Sequence, residues 1–166
     1  MRVIFGDLWE QLDGFRVVTT NCSYNRLGHA VCGVGIAKQA ATKYPGLKSA
    51  LGKRLKETNR APLVHVFPEW QIICFPTKRY WSDKSTLSLL RVGLHHLAKL
   101  ADELVGPIYL PLLCCGYGEL EEGDVIPVLE EFLDDRFVLV KRDASVVGKY
   151  PGSFVPSTRS DRSLGV

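Results

Sequence analysis

Twice in this chain an apolar, β-branched run passes through a glycine loop directly into a helical pattern, and that recurrence limits the folds open to it. The first instance runs from Phe15-Arg16-Val17-Val18-Thr19-Thr20 to Gly33-Val34-Gly35-Ile36 and a helix over about 34–44. The second runs from Pro107-Ile108-Tyr109-Leu110-Pro111-Leu112-Leu113 to Gly116-Tyr117-Gly118-Glu119-Leu120 and a helix over 125–133. A nearly unbroken apolar run suits a strand buried on both faces. Strand, loop and helix in repetition indicate an α/β chain with a mixed, largely parallel central sheet covered on both sides.

The remaining segments fit that scheme. Val3-Ile4-Phe5, Leu63 to Phe67, Trp70 to Phe75 and Phe137 to Val140 read as further strands, with Pro68-Glu69 dividing the middle pair. Pro45-Gly46 stops the first helix, and a second covers about 47–58. From Ser85 onward Leu87, Leu90, Leu94, Leu97, Ala101 and Leu104 recur at intervals of three and four, a continuous apolar stripe that should lie against the sheet.

A length of 166 residues with 46% hydrophobic composition suits one domain over 1–147, followed by a Gly-, Pro-, Ser- and Arg-rich, loosely ordered tail over 148–166. Lys149, Arg159 and Arg162 against Asp161 place most of the +3 net charge in that tail, so the body is nearly neutral. Such a balance is unlike a strongly basic nucleic-acid-binding domain. No run reaches the roughly 18 apolar residues of a membrane span, and no signal-like run follows Met1. The expectation is a soluble, cytoplasmic protein, monomeric, with reduced thiols at Cys22, Cys32, Cys74, Cys114 and Cys115.

Glycine loops at the carboxyl ends of buried strands let backbone N–H groups approach an anion, and the positive end of the next helix adds to the attraction. Two such loops together favour a ligand carrying a diphosphate, as in nucleotides. On these pieces, taken in order from residue 3 to 140, the chain resembles the macrodomain family, the three-layer α/β/α modules that bind ADP-ribose. The matching residues are Gly6-Asp7-Leu8, Asn21, Gly33-Val34-Gly35-Ile36-Ala37, Phe75-Pro76-Thr77-Lys78, Leu110-Pro111 and Cys115-Gly116-Tyr117-Gly118-Glu119-Leu120. Within the family it looks most like the DNA ADP-ribosyl glycohydrolase antitoxins, relatives of the terminal ADP-ribose protein glycohydrolase.

The resemblance implies that Asp7, with Leu8, receives adenine and that the loops 33–36 and 115–120 hold the diphosphate. It implies that Asn21 contacts the distal ribose and that Lys78, after Thr77, is the catalytic lysine. An amide can donate to and accept from sugar hydroxyls, and a partly desolvated lysine can act at an anomeric carbon. The implied activity is hydrolysis, removing ADP-ribose from a modified nucleobase or protein side chain without metal or cofactor. Alternatives are a phosphatase acting on ADP-ribose 1″-phosphate and a non-catalytic module that sequesters such nucleotides. Three departures stand out. Val18 or Thr19 replaces a second asparagine, the loop Tyr24 to Val31 is long, and Gly118 stands where the protein glycohydrolase has its catalytic aspartate, with Glu119 beside it.

Plainer readings compete. Asn21 could only satisfy backbone at a strand end, and Lys78-Arg79 could be a solvated turn. Cys22, His29 and Cys32 lack a fourth zinc ligand. Cys114 and Cys115 read as packed thiols, and His95 and His96 as helix residues without a role. Trp70, Tyr80 and Trp81 read as core or pocket wall, with base stacking by Tyr80 or Trp81 the less favoured alternative.

Overall fold

A computed structural model describes residues 1–142, so the expected boundary at 147 and the segment 148–166 lie outside the described residues. Six strands form one sheet: β1 (Arg2–Phe5), β2 (Phe15–Asn21), β3 (His65–Phe67), β4 (Ile72–Lys78), β5 (Ile108–Leu110) and β6 (Phe137–Lys141). Their spatial order is β1-β6-β5-β2-β4-β3, and every pairing is parallel except β3 with β4. The helices are α1 (Gly35–Lys43), α2 (Leu47–Glu57), α3 (Leu87–Ala101) and α4 (Glu122–Phe132).

Alternation along the strands divides the core into two layers. Val17, Ile73, Phe75, Phe137 and Leu139 pack with Leu90, Leu94 and Leu97 of α3 and Val125 and Leu129 of α4. On the other face, Val18, Ile72 and Cys74 pack with Ala37 and Ala40 of α1 and Leu47, Leu51 and Leu55 of α2. This is the three-layer α/β/α arrangement, in which side chains of period two serve opposite faces.

Element ends differ from the sequence reading for local reasons. The Thr86 side chain accepts from Leu89 N at 3.1 Å, so α3 opens at Leu87 and Ser85 stays outside it. Val64 N donates to His96 Nδ1 at 3.1 Å, which takes it off the ladder and leaves β3 only His65–Phe67. Trp70 belongs to a 3-10 turn over Pro68–Trp70, and Gln71 (φ +53°) precedes β4. Pro111 has no N–H to donate, and β5 ends at Leu110. Helix α4 begins at Glu122, earlier than its apolar pattern suggests, with Glu122 and Asp124 in the first turn where a helix favours negative charge.

The sheet has one irregularity, at the carboxyl ends of β2 and β4. Along these strands the partners run Arg16 with Ile72 through Thr20 with Pro76, then skip to Asn21 with Lys78. Proline cannot donate to a ladder and settles at edges and bulges. β3 accompanies β4 only as far as Cys74, so Pro76 lies where that flank of the strand is open. Thr77 is the extra residue, and its hydroxyl approaches the Thr20 carbonyl at 3.4 Å.

Candidate functional site

The carboxyl ends of β1, β6, β5, β2 and β4 open into a single cleft of about 790 Å³. Neighbouring strands lie about 4.8 Å apart, so four steps from β1 to β4 give a site roughly 19 Å long. At one end Asp7 and Leu8 line it beside Val140, Lys141 and Arg142. Asp7 is buried, and its Oδ1 accepts from Trp9 N at 2.9 Å, capping the turn Leu8–Glu10. Lys141 forms an ion pair with Glu122.

The two glycine loops occupy the middle. Gly33, Val34, Gly35 and Ile36 face Cys115, Gly116, Tyr117, Gly118 and Leu120 across the cleft. Val34 caps α1 without a side-chain hydrogen bond, so the first N–H groups of this nine-residue helix have no capping side chain. Gly35 has φ +59°, a left-handed conformation that costs a side-chain-bearing residue energy, and a Cβ there would sit 3.5 Å from the Tyr117 ring. Gly118 is fixed by crowding: a Cβ would lie 2.4 Å from the Cys114 carbonyl oxygen and 2.4 Å from Ser85 Oγ. An aspartate cannot occupy position 118 on this backbone.

At the far end Asn21, Thr77 and Lys78 line the cleft together with Trp81. Asn21 Nδ2 donates to the Val31 carbonyl at 3.0 Å, and Asn21 Oδ1 accepts from Ser23 N at 2.9 Å. The amide therefore closes the loop that follows β2, and each end keeps one further hydrogen-bonding position. Lys78 is half-buried and makes no ion pair with any described residue.

Glu119, grouped with this site on sequence, does not line the cleft. Its φ of +64° turns it outward, and its carboxylate pairs with Lys84 at 3.2 Å. The thiols of Cys114 and Cys32 are poor nucleophiles. Burial pushes Cys114 up to about 11 against the opposing influence of Ser85 and Lys78, and burial pushes Cys32 up to about 11 as well. Among the described residues no cluster of His, Cys, Asp and Glu is arranged to hold a metal ion.

Sequence reasoning left several lining residues out. Lys141 ends β6 and Arg142 follows it, and their place at the carboxyl end of a parallel strand was the available signal. Trp9 and Gln39 meet in a buried hydrogen bond of 2.7 Å from Nε1 to Oε1, a contact between distant segments that no motif announces.

No protein-family model matches the chain, and comparison with curated proteins finds no match, so the comparison rests on solved structures. The macrodomain of Mycobacterium tuberculosis DarG is 28% identical with a TM-score of 0.69, covering 83% of this chain and 96% of its own. The macrodomain of Thermus aquaticus DarG is 26% identical with a TM-score of 0.69, covering 86% and 97%. The chain has the fold of the DarG macrodomains. Thermosipho africanus DarTG, solved in complex with ADP-ribose, shares the fold at 20% identity and a TM-score of 0.70, covering 87% of this macrodomain and 42% of that longer chain. No helix among the described residues of the macrodomain is long and apolar enough to cross a membrane.

Proposed function

We propose that this macrodomain binds ADP-ribose along the cleft and, as a hydrolase, removes it from a modified nucleobase or protein side chain by cleaving at the anomeric carbon of the distal ribose. The observation that carries the reading is the order of residues along the cleft. Asp7 stands at one end, the facing glycine loops at the centre, and Asn21 and Lys78 at the other end. That order suits adenine, diphosphate and distal ribose in turn. The structure of Thermosipho africanus DarTG with ADP-ribose supports the ligand class.

In this reading Asp7 accepts from the adenine amino group while Leu8 packs on the ring. Backbone N–H groups of 33–36 and 115–118 hold the diphosphate, helped by the positive end of α1. The unused positions of the Asn21 amide read ribose hydroxyls. Lys78 Nζ acts at the anomeric carbon as nucleophile or charge stabiliser. Water supplies a hydroxyl to the ribose and a proton to the departing group. The blocked position at Gly118 favours chemistry that relies on the lysine without a partner carboxylate. The protein works as a cytoplasmic monomer that needs no cofactor.

Incubation with ADP-ribosylated single-stranded DNA, protein ADP-ribosylated on carboxylates, and ADP-ribose 1″-phosphate tests this. The expected product is free ADP-ribose with an unmodified base or acid. Phosphate release from the third substrate alone would establish a phosphatase instead, and binding without turnover of any substrate would establish a sequestering module.

A further inference from the structure

Beyond Lys78 the chain makes a turn with unusual side chains. Asp83 N donates to the Tyr80 carbonyl at 3.1 Å, and Tyr80 N donates to Asp83 Oδ2 at 3.1 Å. The turn is also tied outward. Trp81 N donates to Ser23 Oγ at 3.2 Å, Cys22 N to the Arg79 carbonyl at 3.0 Å, and Ser85 N to the Gly118 carbonyl at 3.1 Å. The backbone is thus anchored to both the loop after β2 and the second glycine loop, while the side chains of Tyr80 and Trp81 are 55% and 65% exposed. A large indole held in water by a braced turn, at the rim of the cleft beside Lys78, contributes little to folding.

The surroundings indicate what would cover it. Arg79 and Arg26 are exposed on the same two loops, and the Arg60 guanidinium lies 4.3 Å from the centre of the Tyr24 ring. The acids of the turn and its neighbours are engaged: Asp83 with the Tyr80 N–H, and Glu119 with Lys84. Exposed aromatic rings among cations suit unpaired bases on a phosphate backbone, because every base offers a π-face and every linkage a negative charge. A carboxylate-linked side chain offers no such face.

We propose that Trp81, with Tyr80 beside it, is the stacking platform for the nucleobase that carries the ADP-ribose, the residue that sets how much more tightly a base-linked conjugate is held than ADP-ribose itself. The proposal rests on the glycohydrolase reading above. Stacking places the bond to the anomeric carbon against Lys78. Losing such a stack to alanine corresponds to roughly a five- to 150-fold loss of affinity.

The test measures affinities of the full chain for ADP-ribose, a short single-stranded oligonucleotide carrying ADP-ribose on a base, and a peptide carrying it on a glutamate. Labelled conjugates are titrated by fluorescence anisotropy in the Lys78→Ala background, which preserves them. Trp81→Ala should weaken the oligonucleotide conjugate at least fivefold, leave ADP-ribose and the peptide within twofold, and be largely rescued by Trp81→Phe. Equal weakening of all three ligands, or of none, would overturn the platform while leaving the proposed function standing. If ADP-ribose itself fails to bind, the proposed function falls and the platform with it. Should the conjugate decay in the Lys78→Ala background, the lysine assignment is at fault. The platform is then read from initial rates, as a rise in KM at constant kcat for the oligonucleotide substrate of Trp81→Ala alone.

Discussion

Asn21 and Lys78 are ladder partners across β2 and β4, brought opposite each other because Thr77 is left out of the pairing. The two residues therefore share one place at the cleft while holding different duties. Lys78→Ala should remove most turnover and leave ADP-ribose affinity within a few-fold, because a contact that matters in the transition state lowers kcat without weakening ground-state binding. Lys78→Arg should not rescue, since guanidinium keeps its proton and cannot act as a nucleophile. Single-turnover rates beside calorimetric affinities measure both, and full activity in Lys78→Ala would end the lysine mechanism.

Asn21→Ala should behave differently. It removes the hydrogen bonds to the Val31 carbonyl and Ser23 N that close the loop, as well as the amide assigned to the ribose. Affinity should fall at least tenfold, and thermal stability should drop by an amount corresponding to about 1–3 kcal/mol. An unchanged melting temperature would mean that the loop closes without this amide.

Gly118 offers a steric test. Gly118→Ala places a methyl group against the Cys114 carbonyl and should cost about 1–3 kcal/mol in denaturant unfolding, with weaker ADP-ribose binding as the loop is displaced. Gly118→Asp should gain no activity. A stable, more active Gly118→Asp protein would show that the loop shifts freely.

His65 sets an acid limit. It is buried, its Nε2 has no partner among the described residues, and burial, aided by the charges of Arg54 and His96, pulls it down to about 4. Free histidine titrates near 6.5, so below that pH the unfolded chain takes up a proton that the folded chain refuses until about 4. Stability should be flat above pH 6.5 on this account and fall by roughly 3 kcal/mol between 6.5 and 4. His65→Leu should flatten that slope in urea titrations across the range; an unaltered slope would place the acid sensitivity elsewhere.

Leu94 is fully buried among residues of α3, α4 and the sheet. Leu94→Ala should cost about 2–5 kcal/mol, read from the denaturation midpoint at constant m-value. A loss below half a kilocalorie would mean that the stripe can repack.

That stripe also shows which parts of the fold were legible. Leu90, Leu94 and Leu97 declare themselves by spacing because helical burial repeats over four turns. The ends of strands do not repeat. Val64 leaves the sheet for a histidine 32 residues away, and only the folded chain brings the two together. In the site, the glycine loops could be read because small residues at a strand-to-helix junction have few other uses. Glu119 joins them as part of the Gly116-to-Leu120 motif that the resemblance rests on, and in the fold it has a positive φ and pairs with Lys84. Trp81, which reads as core or pocket wall in the sequence, does line the cleft, whereas Trp9 and Gln39 enter it with nothing in their spacing to mark them.

The unpaired Thr77 has a consequence for anyone who edits or transplants this site. Side chains of a strand alternate in parity, and one additional residue exchanges odd for even. Were the ladder regular, Asn21 would pair with Thr77, and Lys78 would fall one register position further on, on the opposite side of the sheet. The placement of Lys78 is therefore set by a count of residues as much as by chemical identity. Deleting Thr77 would leave the lysine opposite Asn21 but on an unbulged strand, without the local bend and twist that the extra residue gives, so a graft onto another sheet must carry Pro76-Thr77-Lys78 as one indivisible unit.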